Sequence, residues 1–358
     1  MSEETLLKTL NVEGLRQFVE LQSDAVSAVT ERFYATHGSL YERFEARGRE
    51  ACREDLAFHL EFLRPVLEFG LLQPMVDYLC WLNSVLSARA IPTEHLSQSL
   101  DWLAEFFSEH METSNGAIVV EALLAARTSF QKISDISLMP LTSHEPWPET
   151  VEFEAALLSG NHRQAHAILR DSMAQRRSLI DFELHVIQPA LYDIGEKWQT
   201  NQVSVAQEHM ATAIAQSVMT VALQNAQPRV SIDQRVLLAC VEGNNHAVGL
   251  QMVADAFLMA GWEVQFLGAN VPTLSIIQQI TAWKPDLIGL SVSFPQQVRV
   301  AKAVIAQLDE HFGRSRPAVI IGGLAFNRFT ELSRIVGADG FGDDSLAAVE
   351  NANRVVST

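Results

Sequence analysis

The C-terminal part of the chain constrains the fold most, because short apolar runs alternate there with helical patterns. Five runs are strand-like, at residues 235–241, 262–267, 286–291, 318–321 and 338–340. The first run is apolar at almost every position, as strands are when both faces of a parallel sheet are covered. The regular alternation predicts a doubly wound, five-stranded parallel α/β domain of the Rossmann or flavodoxin type at residues 235–358.

Polar residues and glycines follow these strands, at the sheet edge where open parallel sheets bind ligands. The first turn reads Gly-Asn-Asn-His-Ala-Val-Gly and places His246 between a strand and a helix. The third strand ends near Ser291 and Ser293, and the fourth ends at Gly322 and Gly323. Glycines without Cβ atoms let a ligand approach the backbone closely. Taken alone, a histidine in such a turn is as often an exposed polar residue as a ligand.

Together these turns resemble the cobalamin-binding domain of B12-dependent enzymes and sensors, with its Asp-x-His-x-x-Gly, Ser-x-Leu and Gly-Gly signature. The matching residues here are Asn244, His246 and Gly249, then Ser291 and Ser293, then Gly322 and Gly323. The resemblance implies that His246 replaces the vitamin's own base as the lower axial cobalt ligand. It also implies that the displaced nucleotide tail runs between the serine and Gly-Gly turns.

Two positions depart from the family pattern. Asn244 replaces the aspartate that orients the histidine, and an amide lacks the charge that raises ligand basicity. Ser293 replaces a leucine, which makes the groove for the nucleotide tail more polar. Neither change removes the cobalt ligand.

Residues 150–227 are predicted to form a four-helix bundle. Ser204-Val205-Ala206-Gln207 is a capping-box pattern that starts the last helix. Trp198 precedes the pair Glu208-His209 by nine intervening residues. By composition alone this would be a core tryptophan and a surface pair. A four-helix cap before a cobalamin domain resembles the cap of methionine synthase and its relatives, and the Trp-x9-Glu-His spacing resembles B12-dependent photoreceptors.

That resemblance implies adenosylcobalamin as the bound form, with the bundle covering its upper face. Trp198 would stack over the adenosyl group and Glu208 would hydrogen-bond it. His209 would hydrogen-bond as well, or take the upper axial position on cobalt once the adenosyl group has left.

Residues 1–134 are predicted to be all-helical, and residues 135–149 to be a proline-containing linker. One helix carries a polar stripe, because its spacing of i, i+3, i+6 and i+10 keeps four side chains on one face. The stripe consists of Arg49, Cys52, Asp55 and His59. Most charged stripes are ordinary solvated surface.

The same stretch resembles the chromophore helix of phycobiliproteins, which carries Cys-x-x-Asp before an aromatic segment and belongs to a globin-like fold. The resemblance implies a linear tetrapyrrole, with biliverdin expected, attached to Cys52 and bonded by Asp55. The family's arginine two residues after the cysteine is Glu54 here. Propionate binding would then come from Arg49 or Arg53. Non-covalent contact through His59 stays open as the alternative to a thioether at Cys52.

Composition excludes several classes of protein. The formal net charge of −17 argues against general nucleic-acid binding, which needs a basic face. Three cysteines without paired spacing indicate a reducing compartment. No signal-peptide pattern or membrane-length apolar run is present. We expect a cytoplasmic protein that binds no membrane.

All three parts together resemble photocobilins, in which a bilin domain is joined to a B12 photoreceptor module. That resemblance implies a light-sensing signalling protein, not an enzyme, which acts through an effector protein or enzyme and is a candidate homo-oligomer. The main alternative is a corrinoid methyl carrier of a B12-dependent methyltransferase system, with a helical adaptor domain. A third interpretation is an interaction protein in which both ligand pockets are degenerate.

Overall fold

The computed structural model describes residues 6–132 and 144–357. Residues 135–143 of the predicted linker lie outside these ranges. The chain divides into two compact units, Met1–Leu138 and Met139–Thr358. Each unit has a hydrophobic core of its own.

The first unit is helical throughout its described part, as predicted. It contains α1 (Val12–Tyr41), a 3₁₀ turn (Glu42–Phe44), α2 (Glu45–Phe69), α3 (Gln73–Ser87), α4 (Thr93–His110) and α5 (Thr113–Lys132). Helix α1 continues without a break through Gly38 to Tyr41. Gly70 ends α2 in the left-handed region at φ 76°, which glycine adopts without strain. The globin-like arrangement of these helices stays a prediction.

The second unit begins with a helical bundle, which we call the cap (residues 150–225). It contains α6 (Thr150–Leu158), α7 (His162–Ala174), α8 (Leu179–Phe182), a π-helical turn (Glu183–Ile187), α9 (Gln188–Gln199) and α10 (Val205–Asn225). The π turn joins α8 and α9 into one continuous helical rod, so the cap has four rods. Ser204 caps α10 with the predicted capping box.

The rest of the second unit is a parallel α/β domain. Its strands are β1 (Arg235–Val241), β2 (Glu263–Val271), β3 (Leu287–Ser291), β4 (Ala318–Gly322) and β5 (Gly340–Gly342). Its helices are α11 (Val248–Met259), α12 (Thr273–Trp283), α13 (Val298–Phe312), α14 (Leu324–Arg328), α15 (Glu331–Val336) and α16 (Ser345–Val356). Asp344 caps α16 by accepting the Ala347 N–H at 2.7 Å.

The sheet has the order β2-β1-β3-β4-β5, and every pairing is parallel. This confirms the predicted five-stranded parallel sheet, with β5 starting two residues later than expected. In this flavodoxin-like order the connections change direction between β1 and β3, which leaves a crevice at their carboxyl ends. Cys240 of β1, Ser291 of β3 and Gly322 of β4 are in register there.

The cap packs directly on this domain. Met252 and Ala256 of α11 are buried in the same hydrophobic cluster as Phe153 and Phe182 of the cap. A side-chain hydrogen bond also joins α10 to α11, from Gln216 to Gln251 at 3.2 Å. Helix α11, which starts two residues after His246, therefore has one face on the cap.

Candidate functional site

The β1–α11 turn presents His246 at the crevice between β1 and β3. Asn244, two residues before it, is fully buried. The Asn244 amide donates from Nδ2 to the Ser291 carbonyl at 3.0 Å, and its Oδ1 accepts the backbone N–H of His246 at 3.1 Å. The expected contact between Asn244 and the imidazole ring is thus not made in this structure, because both ends of the amide are bonded to backbone.

The His246 ring packs instead against an aromatic residue. Its centroid lies 5.2 Å from that of Phe294, with the rings at 79°, an edge-to-face contact. Burial lowers the pKa of His246 below its ordinary value. The ring is therefore neutral at pH 7, and the neutral imidazole is the form that binds a metal ion.

Gln297 is a site residue that the sequence did not reveal. It is buried, and its Oε1 accepts the backbone N–H groups of Ser293 and Phe294, both at 3.1 Å. Its Nε2 donates to the Gly243 carbonyl at 2.8 Å. Gln297 therefore ties the loop after β3 to the loop that carries His246. Its position three residues after Phe294, behind a helix-starting Pro295, was an available signal.

The glycines of the site fall into two groups. A Cβ on Gly323 would stand 2.4 Å from the Val292 carbonyl oxygen, and one on Gly322 would stand 2.8 Å from that of Gly342. These two glycines are required by backbone packing, a role distinct from the ligand access predicted for them. A Cβ on Gly249 would meet nothing within 4 Å, so space is open at the start of α11.

The cap residues lie at the junction of α9 and α10. Trp198 is half-buried near the end of α9, and Gly195, one turn earlier, has open space beside it. Glu208, in the first turn of α10, accepts a hydrogen bond from Thr212 at 3.0 Å and contacts the Nδ1 of His209. The imidazole of His209 is exposed.

Glu208 of the cap interacts electrostatically with His246 of the α/β domain. The Glu208 carboxylate raises the pKa of His246 and partly offsets the lowering caused by burial. The fold therefore brings a cap carboxylate within electrostatic reach of the imidazole. The residues also fit a corrin cofactor: a neutral imidazole, open space at Gly249 and a polar cap side.

In the first unit, the polar stripe on α2 is partly solvated at Arg49 and buried at His59. Arg49 pairs with Glu31 of α1, and Arg53 donates to Ser27 of the same helix at 3.4 Å. The ring of His59 is buried and shares a hydrogen bond of 2.9 Å with the hydroxyl of Tyr78 on α3. Both arginines predicted for propionate binding therefore already have partners on α1.

Cys52 and Asp55 lie half-buried between these residues. Burial and the nearby Asp55 carboxylate raise the pKa of the Cys52 thiol to about 12. Burial also raises the pKa of Asp55 to about 6. The thiolate is the nucleophilic form of cysteine, so Cys52 is unreactive at neutral pH in this conformation.

The described residues offer no separate metal site and no membrane-spanning helix. No group of three or more His, Cys, Asp or Glu side chains there could hold a metal ion. A corrin ring supplies its own four nitrogens to cobalt, so one protein histidine suffices. None of the described helices is long and apolar enough to span a membrane.

Comparison with known families identifies the second unit. Two family models, each described as a B12 binding domain, match residues 152–223 and residues 234–350. The first match covers the cap, and the second covers the α/β domain with His246. The chain is therefore a cobalamin-binding protein with two adjacent B12-binding regions.

Individual relatives match this same part of the chain. The HTH-type transcriptional repressor CarH of Myxococcus xanthus is 28% identical over 181 residues, which are 51% of this chain and 58% of the repressor. Dimethylamine corrinoid protein 3 of Methanosarcina mazei is 26% identical over 168 residues, which are 46% of this chain and 99% of that protein. The chain thus spans little more than half the length of the repressor.

A solved structure shows a more distant likeness. The monomethylamine corrinoid protein of Methanosarcina barkeri is 18% identical, with a TM-score of 0.48, over 57% of this chain and 96% of that protein.

Proposed function

We propose that this chain is a light-sensing signalling protein that binds adenosylcobalamin between its cap and its α/β domain. The observation that carries the proposal is the convergence of Glu208 and His246 across the boundary between these parts. We assign His246 to the lower face of the cofactor. We assign Trp198 and Glu208, on the cap, to the adenosyl group above it.

Each of these residues has a separate role. Neutral His246, with its ring against Phe294, would hold the cobalt of the bound cofactor. When bound, adenosylcobalamin supplies a cobalt–carbon bond that light breaks. Trp198 and Glu208 contact the upper group only while it is present, so its loss changes the stability of the closed cap. A ligand shifts a conformational equilibrium only by its different affinity for the two states, and these contacts provide that difference.

His209 is the cap side chain available to follow that change. It is exposed, and it contacts Glu208 while Glu208 is also bonded to Thr212. We propose that His209 would hydrogen-bond the bound cofactor in the dark and would be the cap side chain available to hold cobalt in the light. The signal would then pass to a partner protein or to another copy of the chain, and the protein itself would not be an enzyme.

A second candidate function is that of a corrinoid methyl carrier. It is favoured by the match to dimethylamine corrinoid protein 3, which covers 99% of that protein. The first unit would then be an adaptor for a methyltransferase. This alternative gives no role to the spacing of Trp198 and Glu208.

For the first unit we propose a linear tetrapyrrole, such as biliverdin, held without a covalent bond. Asp55 is partly buried, and its pKa near 6 leaves a carboxylate at neutral pH that can accept pyrrole N–H bonds. Phe58, one turn away, is 51% exposed and offers an apolar face. The protonated Cys52 thiol favours non-covalent binding.

One reconstitution experiment tests these proposals together. Purified protein is mixed in the dark with adenosylcobalamin and biliverdin, freed of excess ligand and illuminated with green and then red light. The proposal expects cobalt bands that shift under green light faster than those of free cofactor, and a retained red-absorbing bilin band. Methylcobalamin is the matched control, since it lacks the adenosyl group. Retained cobalamin with no light response beyond that of free cofactor would favour the methyl carrier.

A further inference from the structure

Two buried carboxyl groups meet at the contact between the cap and the α/β domain. Glu183 opens the π-helical turn of the cap and is 0% exposed, and Asp255 of α11 is 3% exposed. Both oxygens of Glu183 and Oδ2 of Asp255 are buried, and no N–H or O–H of the described residues donates to them. A side-chain hydrogen bond between the two carboxyl groups couples their pKa values.

Two carboxylates cannot form that hydrogen bond, because ionised carboxyl oxygens only accept. A shared proton resolves the conflict, since one carboxyl group then donates to the other. Like charges at short distance raise the pKa of one member of such a pair strongly. Burial and the Asp255 charge raise the pKa of Glu183 well above its ordinary value, and burial raises that of Asp255 to about 6.

Among the described residues, no cation contributes to the pKa of Glu183 or Asp255. The other titratable side chains that are at least partly buried on the packed elements are Glu154, Asp181, His185, Tyr192, Lys197, Glu208, Arg235 and Cys240. None of them contributes to the pKa of either carboxyl group. Several have partners of their own; Lys197 pairs with Glu154, and Arg235 donates to the Trp283 carbonyl.

The location connects the pair to both faces of the site. Glu183 lies on the same helical rod as Trp198, because the π turn joins α8 to α9. Asp255 lies on α11, which begins two residues after His246. A π turn inserts an extra residue into a helix and is often found at functional sites. A bond between these two residues therefore links the rod with Trp198 to the helix behind His246.

We propose that Glu183 and Asp255 share a single proton, and that the resulting hydrogen bond is the positioning contact that seats the cap on α11. Loss of the shared proton in alkaline solution leaves two negative charges in contact and loosens the cap. The pair and its proton follow from the fold alone. Only the consequence for the adenosyl side of the cofactor rests on the proposed function.

The direction of the pH effect follows from the raised pKa of Glu183. A carboxyl group whose pKa is higher in the folded state stabilises the fold fully below its unfolded pKa, and this stabilisation is lost as pH rises through the folded pKa. Asp255 contributes the same kind of loss between its ordinary value of 3.8 and about 6. Measurements above pH 6.5 therefore isolate the proton held by Glu183.

The test compares thermal unfolding of the cofactor-free full chain from pH 6.5 to 9.5 in three proteins. The parent should lose about 3–5 °C in Tm per pH unit across the window in which Glu183 ionises. Glu183→Gln should flatten this profile and keep the Tm of the parent at pH 6.5, because the amide donates permanently to Asp255. Glu152→Gln, which changes an exposed carboxylate on α6, is the matched control and should keep the parental slope.

Two further measurements keep the proposal falsifiable. If Glu183→Gln does not fold, Asp255→Asn takes its place, since its amide donates to Glu183 and should flatten the profile equally. Infrared spectra of the parent at pH 7 should show a buried protonated carboxyl band that disappears in the variant. Parallel pH profiles in parent and variant, or the absence of that band, would overturn the proposal.

A cobalamin titration separates the two conclusions. Retained adenosylcobalamin binding in the dark at pH 6.5, together with faster loss of cap protection from hydrogen exchange at pH 9 in the parent only, supports both. A flat profile for Glu183→Gln without any cobalamin binding would sustain the shared proton and refute the proposed function.

Discussion

Two glycines of the cobalamin motif have different predicted roles, one in the stability of the fold and the other in cofactor binding. Gly323 has a φ of 102°, and a Cβ there would stand 2.4 Å from the oxygen and 2.9 Å from the nitrogen of Val292. Gly249 lies in the first turn of α11, and a side chain there would point into open space. We predict that substitution at Gly323 destabilises the second unit, and that substitution at Gly249 weakens cobalamin binding.

The expected cost at Gly323 can be worked from the backbone. The unfavourable φ costs about 1–3 kcal/mol for a residue with a Cβ. Val292 must also move, although it donates to the Gly322 carbonyl at 3.0 Å and accepts from Ala325 at 3.2 Å. Each weakened hydrogen bond adds about 1 kcal/mol. Gly323→Ala should therefore cost about 3–5 kcal/mol, or about 6–20 °C in the Tm of this unit.

Substitution at Gly249 should stabilise the free protein and weaken cobalamin binding. Replacing a helical glycine by leucine stabilises the free protein by about 0.5–1 kcal/mol. The leucine side chain occupies space that the cofactor would share, and such overpacking costs about 1–3 kcal/mol of binding energy. Gly249→Leu should therefore raise Tm slightly and weaken cobalamin binding about 5–150-fold.

The assay pairs thermal unfolding of the free protein with absorbance titration by adenosylcobalamin in the dark. Gly38→Leu is the matched control, because Gly38 also lies within a helix, in the first unit, where an added Cβ would make only an ordinary 3.8 Å contact with the ring of Tyr34. It should raise Tm without changing the Kd for cobalamin. The reasoning is refuted if Gly249→Leu binds cobalamin as tightly as the parent, or if Gly323→Ala unfolds at the parental temperature.

Three further predictions concern the ligand-binding side chains. His246→Ala should lower cobalamin affinity and alter the cobalt absorption bands. Phe294→Ala should broaden or shift those bands with a smaller loss of affinity, because the imidazole loses its edge-to-face contact. Unchanged spectra in both variants would point to another lower ligand of cobalt. Trp198→Ala should reduce the dark–light difference in hydrogen exchange of the cap while cobalamin is still bound, and an equal response in mutant and parent would exclude the stacking role. Cys52→Ala should retain as much biliverdin as the parent when both proteins are washed without denaturant. Retention of biliverdin by the parent alone after denaturation would show a covalent bond.

The sequence alone determined much of this protein, because its strongest signals are local. Alternating apolar runs predicted the parallel sheet, since strands covered on both faces must be apolar along their length. Ser204 and Gln207 predicted the start of α10, because a capping box involves only residues within one turn. The turn with His246 was predicted for the same reason, as a polar segment between a buried strand and a helix.

The tertiary structure decided what those residues contact. Residues far apart in sequence, such as Glu208 and His246, are brought together only by the packing of the cap on α11. The Gly322–Gly323 turn looks like a ligand approach in the sequence, but its Cβ positions are filled by backbone of Val292 and Gly342. The amide of Asn244 is bonded to backbone, and Phe294 contacts the imidazole in its place.

The pair of Glu183 and Asp255 shows most clearly what the sequence alone does not reveal. In sequence each is an ordinary acidic residue on a helix, and such residues are mostly exposed. A π turn rotates one and the packing of α11 buries the other, and neither effect has a local sequence signal that reports its partner. Burial energy and the pKa of a carboxyl group depend on all neighbouring atoms, so only the assembled fold shows that two acids share one site.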